Sequence, residues 1–110
     1  MIYLASPYSH PDPAVREDRY QKALAAVAKY AQLKIAVYSP IVHWHCVAQR
    51  YELPTDAAFW SGLNETMLKR CSKLVVLAID GWSGSVGIQQ EYDWALALDL
   101  PISFIKPDAL

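Results

Sequence analysis

The run Leu74-Val75-Val76-Leu77-Ala78-Ile79, followed at once by Asp80-Gly81-Trp82-Ser83-Gly84-Ser85, decides the fold. Six apolar residues in a row cannot alternate between core and solvent, so the run reads as a strand buried on both faces. Strands of that kind lie inside parallel sheets. The turn of small residues behind it ends the strand and opens a helix over about residues 86–99.

Upstream, Pro54 and Asp56 open a helix to about Arg70, with Leu63, Met67 and Cys71 towards its inner side. Residues 41–55 read as an irregular aromatic stretch holding His43, Trp44 and His45. Residues 35–38 form a short strand ended by Ser39-Pro40. Before it, Asp12 reads as an N-cap with Pro13 at the first helical position, where a missing N–H costs nothing. The helix they open carries Tyr20, Leu24, Val27 and Ala31 on one face. Residues 2–5, stopped by Ser6-Pro7, make the first strand, and residues 102–105 the last. Strands alternating with helices predict a parallel sheet with helices on both faces. With about four strands, the expected architecture is a flavodoxin-like α/β three-layer sandwich of strand order 2-1-3-4. That order reverses between the first and third strands, and ligands of open α/β sheets bind beyond the carboxyl ends of strands at such a point. The rule selects Ser6-Pro7-Tyr8 and residues 80–87.

Composition narrows the classes. With 110 residues, the expectation is one domain over residues 1–110. A net charge of −1 argues against a protein that coats nucleic acid. Cys46 and Cys71 fit no metal-ligand spacing and read as free thiols of a reducing compartment. No apolar run approaches the ~18 residues that span a membrane. Met1 leads directly into the first strand, so no signal peptide and a cytoplasmic location are expected. Four Trp and seven Tyr are many for this length and point to a pocket or an oligomer interface.

Glu91 carries the sharpest chemistry. Ile88, Ala95 and Leu98 define an apolar stripe on the last helix, and Glu91 falls on it. A carboxylate facing inward costs several kcal/mol unless it is paired or faces a polar cavity. An ion pair with a nearby Arg or Lys is the ordinary explanation. The start of the same helix at the switch point favours a site instead. There Ser83, Gly84, Ser85 and Gly87 combine hydroxyls with backbone open to close approach, and free N–H groups attract anions. Ser85 also reads as an ordinary N-cap. Tyr8 could stack on a nucleobase, though half-exposed tyrosines are common. His43 and His45 follow the second strand on the same edge, and hydrogen bonding or structure explains them better than metal binding.

The opening Ile2-Tyr3-Leu4-Ala5-Ser6-Pro7-Tyr8 resembles that of nucleoside 2-deoxyribosyltransferase-like proteins. So does Asp80-Gly81-Trp82 through Ser85-x-Gly87-x-x-x-Glu91, followed by Ala95. The resemblance is to short relatives within that superfamily and runs over nearly the whole chain. It implies a glutamate nucleophile at Glu91, which attacks the anomeric carbon of a nucleoside or nucleotide and displaces the base. Transfer of the glycosyl ester to another base, or to water, completes a retaining double displacement. The resemblance also implies homodimers or larger homo-oligomers, and no metal or organic cofactor. Ser6, Tyr8, His43, Asp80, Ser83, Ser85 and Gly87 are then the expected substrate contacts, with Asn64 from the middle helix. Relatives that act on free nucleosides carry Asp at the position of Ser85, and those that hydrolyse 5′-monophosphates carry Ser. Where relatives carry an Asp that assists the leaving base, this chain reads Asn64-Glu65, so the general acid stays unassigned. A nucleotide-binding sensor without turnover is the alternative, and a structural oligomer the third reading.

Overall fold

The structure is a computed structural model and describes residues 1–110. Strands β1 (Ile2–Ala5), β2 (Val37–Tyr38), β3 (Lys73–Leu77) and β4 (Ile102–Ile105) form a parallel sheet in the order β2-β1-β3-β4. Ile2 lies opposite Val37 on one side and Lys73 on the other, and Leu77 opposite Ile105. Helices α1 (Pro13–Gln32), α2 (Pro40–Arg50), α3 (Ala57–Leu68) and α4 (Val86–Ala97) complete the α/β sandwich. The strand order is the one read from the sequence.

The unbroken apolar run explains itself in the packing. Leu74 and Val76 join Tyr3, Ala5, Leu68, Ile88 and Ala95 on the face covered by α3 and α4. Val75, Leu77 and Ile79 join Leu4, Ala26 and Tyr30 on the face covered by α1. Successive β3 side chains thus enter two separate cores, and neither face tolerates a polar residue.

Five local expectations are corrected. Residues 40–50 are helical rather than irregular. Ser39 accepts a hydrogen bond from Val42 N–H at 3.2 Å and Pro40 stands in the first turn, the same start signal as Asp12-Pro13. The inward face of α1 is Ala23, Ala26 and Tyr30, while Leu24 and Ala31 are exposed. Small residues let α1 approach the sheet closely, which the larger Leu24 would prevent. The second strand shrinks to Val37–Tyr38, because Lys34 turns left-handed at φ 60° and Ile35 N–H bonds back to the Tyr30 carbonyl at 3.0 Å. In α3, Trp60 and Leu68 are buried and Met67 packs on the core, but Leu63 faces out. Leu98, expected on the inner stripe of α4, is likewise exposed. No helix is long and apolar enough to cross a membrane.

Candidate functional site

A cavity of about 360 Å³ opens beyond the carboxyl end of β1, between the turn into α4 and helices α2 and α3. Its floor is Glu91. The carboxylate is buried, accepts a hydrogen bond from the Tyr3 hydroxyl, and has no Lys or Arg partner. Burial pushes its pKa up to about 8, against the opposing pull of the Tyr3 hydrogen bond. Burial, and then the Glu91 carboxylate, hold Tyr3 far above the ordinary phenol range, so its hydroxyl stays a donor. Beside this pair lies Ser6, whose hydroxyl is buried and has no hydrogen-bond partner. An unsatisfied buried hydroxyl costs about 1–3 kcal/mol. At the edge of the cavity, it is a hydroxyl free to pair with a polar atom.

The wall comes from α2 and α3. Trp44 and Trp60 pack with ring centroids 5.0 Å apart and both line the cavity. Trp44 Nε1–H donates to the Tyr38 hydroxyl at 3.0 Å, and that hydroxyl donates to Asn64 Oδ1 at 3.4 Å. Burial pushes Tyr38 up to about 12, keeping it a donor. With its carbonyl so engaged, Asn64 keeps its amide N–H groups unpaired beside the cavity. Its neighbour Glu65 pairs instead with Lys69 at 3.3 Å, one helical turn on.

The opposite rim gathers hydrogen-bond donors and one guanidinium. Ser85 caps α4 by accepting Ile88 N–H at 3.2 Å, which leaves its own hydroxyl proton free. Val86 and Gly87 N–H groups begin the helix without partners. Arg19 reaches the cavity from α1, donating from Nη1 to the carbonyls of Ser9 at 3.0 Å and Tyr8 at 3.4 Å. No carboxylate neutralises it. Its guanidinium lies against Gly81, whose φ is +93° and where a Cβ would collide with Nη2.

Tyr8 and His45 close the remaining side. The Tyr8 hydroxyl lies 2.7 Å from His45 Nδ1, and His45 Nε2 lies 2.8 Å from Glu17 Oε2. Tyr20 stacks on the imidazole at 4.0 Å and 17°. Burial raises the Tyr8 pKa, while hydrogen bonds from Gln21 and then His45 lower that of Glu17.

The structure brings Ser6, Tyr8, Asn64, Ser85, Gly87 and Glu91 together around one cavity. It places three other expected contacts elsewhere. His43 is exposed, edge-on to Trp44 at 4.5 Å, because two residues along a helix turn to nearly opposite sides; His45 takes the inward place. Asp80 faces a second cavity of about 310 Å³, which Arg19, Lys22 and Asp18 also line. Ser83 is exposed in the 3-10 turn Trp82–Gly84. Arg19, Trp44 and the Tyr3 hydroxyl are the site features that sequence reasoning missed. No group of three or more His, Cys, Asp or Glu side chains is arranged to hold a metal ion.

Residues 1–106 match the model of a family described as a domain of unknown function, DUF1937. No curated protein matches the chain.

Proposed function

The chain belongs to the DUF1937 family, and we propose that it cleaves the N-glycosidic bond of a nucleoside 5′-monophosphate with Glu91 as nucleophile. The observation that carries this reading is the unpaired, buried carboxylate on the cavity floor. Burial without a cation is costly for a structural glutamate. It is useful for one that meets positive charge only in the transition state. As the bond from C1′ to the base breaks, the sugar takes on oxocarbenium character, and the Glu91 anion stabilises it before closing the ester. Tyr3 donates to one carboxylate oxygen and orients the other. Water, or a second base, then displaces Glu91 from the same carbon with net retention.

The rim supports a phosphate on the substrate. A dianion near Glu91 would hold that carboxyl protonated unless its charge is met. Arg19, the Ser85 hydroxyl and the free N–H groups of Val86 and Gly87 are suited to meet it. Ser6 and the Asn64 amide then remain for sugar hydroxyls or the base. The resemblance to deoxyribosyltransferase-like proteins supports the same reading. Assembly into a homodimer or larger homo-oligomer belongs to it as well. Val86, Leu96 and Phe104 stand exposed on α4 and the edge strand β4, and light scattering reads the mass directly.

A nucleotide-binding role without turnover is the second reading, favoured by the Asn64-Glu65 pair, of which Asn64 lines the cavity with an amide and Glu65 pairs with Lys69 instead. A panel of nucleosides and 5′-monophosphates, scored for released free base, separates the two. Base release from a monophosphate, lost in Glu91→Gln, is the expected result. Tight nucleotide binding with no base released overturns catalysis and leaves the binding role.

A further inference from the structure

Cleavage of a nucleotide leaves one requirement that the floor and rim do not meet. The departing base takes the electron pair of the broken bond and needs a proton. Asn64 has none to give. Asp56 lines the cavity, but it is exposed and its Oδ2 accepts Phe59 N–H at 3.3 Å as the cap of α3. Tyr38 is turned to Asn64, and Tyr3 is bound to Glu91.

Tyr8 differs from these. Its hydroxyl is at the cavity and has a histidine directly behind it, with a carboxylate behind the histidine. We propose that Tyr8 is the general acid of the reaction proposed above, supplied with its proton through His45 and Glu17. The inference rests on that reading.

The tautomers follow from the partners. Glu17 is an acceptor, so His45 Nε2 carries hydrogen. In the neutral ring Nδ1 is then bare and accepts the Tyr8 proton. When the ring is protonated, Nδ1–H donates to the Tyr8 oxygen, and the Tyr8 proton is released to point at a ligand. Glu17 opposite Nε2 and the Tyr20 ring stacked at 4.0 Å hold the imidazole in this orientation. His45 itself is buried, whereas the Glu17 side chain is 48% exposed, so the chain of groups joins the cavity to bulk water.

The step balances. The bond from C1′ to nitrogen breaks and its electron pair goes to the base, while a Glu91 carboxylate oxygen bonds to C1′. The Tyr8 proton moves to a ring nitrogen of the base, and the His45 Nδ1 proton moves to Tyr8, leaving neutral imidazole. In the second half, water bonds to C1′ and the ester electron pair returns to Glu91. The proton shed by water returns through Tyr8 to His45. Tyr8 touches the base; His45 and Glu17 act through it as positioning residues.

Leaving groups that need no proton test this directly. Turnover is measured for the common ribo- and 2′-deoxyribonucleoside 5′-monophosphates, and for 4-nitrophenyl ribofuranoside 5-phosphate and its 2-deoxy form. In Tyr8→Phe and His45→Gln, nucleotide turnover is expected to fall by about 10²–10⁴-fold, the usual worth of a general acid. The ratio of nitrophenyl to nucleotide turnover should rise by a similar factor. Nitrophenyl cleavage by the variant also reports that it is folded. Equal losses on both substrates, or no loss on either, overturn the relay while Glu91-dependent base release stands. Wild-type protein that releases no base from any monophosphate removes the parent reading instead.

Discussion

Two tyrosine–carboxylate pairings stand a few side chains apart in this molecule and behave in opposite ways. At the floor, Tyr3 donates directly to Glu91, both are buried, and the carboxyl is pushed up to about 8. At the wall, a histidine is inserted between Tyr8 and Glu17, the outer carboxylate meets water, and its pKa is lowered. The residue types are nearly the same. What differs is access to solvent and the presence of a group that can carry charge between them. The floor carries a carboxyl whose charge is penalised by burial, whereas the wall joins a cavity hydroxyl, through an imidazole, to a carboxylate in water. Burial at the floor, and hydrogen bonds from Gln21 and the inserted imidazole at the wall, give the two carboxyl groups opposite pKa shifts.

The largest effect tests the floor. Glu91 has a folded pKa of about 8 against an ordinary value of 4.5, so the folded chain binds a proton that the unfolded chain has lost between those limits. Stability from this group is fully kept below about pH 4.5 and falls as pH rises towards 8. Glu91→Gln keeps a neutral group in place and escapes that loss. Its melting temperature should match wild type near pH 4.5 and exceed it increasingly up to pH 8, by several kcal/mol in stability. Parallel melting curves across that range would show that Glu91 is neither desolvated nor protonated as described.

The rim comes next, since it carries the positive charge the floor lacks. Arg19→Ala should weaken binding of a nucleoside 5′-monophosphate by about 10–100-fold, the value of hydrogen bonds to a charged group, and leave the nucleoside almost unaffected. Calorimetry that finds equal losses for both forms would move Arg19 from phosphate recognition to scaffolding. Ser85→Asp should go further in selectivity, though less in absolute affinity. It sets a carboxylate at the anion site and should reverse the preference between nucleotide and nucleoside.

The smallest effect tests the wall. Because Glu17 is half in water, its attraction for the imidazolium is screened, and Glu17→Gln should slow nucleotide turnover only by roughly 2–5-fold. A loss as large as that of Tyr8→Phe would mean that Glu17 shapes the site rather than biases a proton.

The sheet was legible because its signal is local. Residues 74–79 admit one period-free reading, and the switch-point rule then picks residues 6–8 and 80–87, which include Ser6, Tyr8, Ser85 and Gly87 but also Asp80 and Ser83, which lie off the cavity. Glu91 was legible as a charge on an apolar stripe. The rest depended on directions that spacing does not contain. Ser39-Pro40 both ends a strand and starts a helix, and only the second role yields α2. Without α2, nothing chooses between His43 and His45, which a helix turns about 200° apart. Arg19 belongs to α1 yet reaches back to the carbonyls of Tyr8 and Ser9. Tyr3 meets Glu91 across 88 positions of sequence, on the face where β1 and α4 pack.

Gly81 has a consequence of a different kind. It carries no side chain to touch a ligand, yet any side chain there meets a left-handed backbone and the tip of Arg19 together. If Arg19 holds the phosphate, position 81 is a selectivity gate operated by bulk. In a lineage of such proteins, divergence at this glycine would retire the taste for charged ligands while every charged residue stayed in place. A side chain introduced at position 81 should therefore move the Arg19 tip and weaken binding of a charged ligand with every charged residue still present.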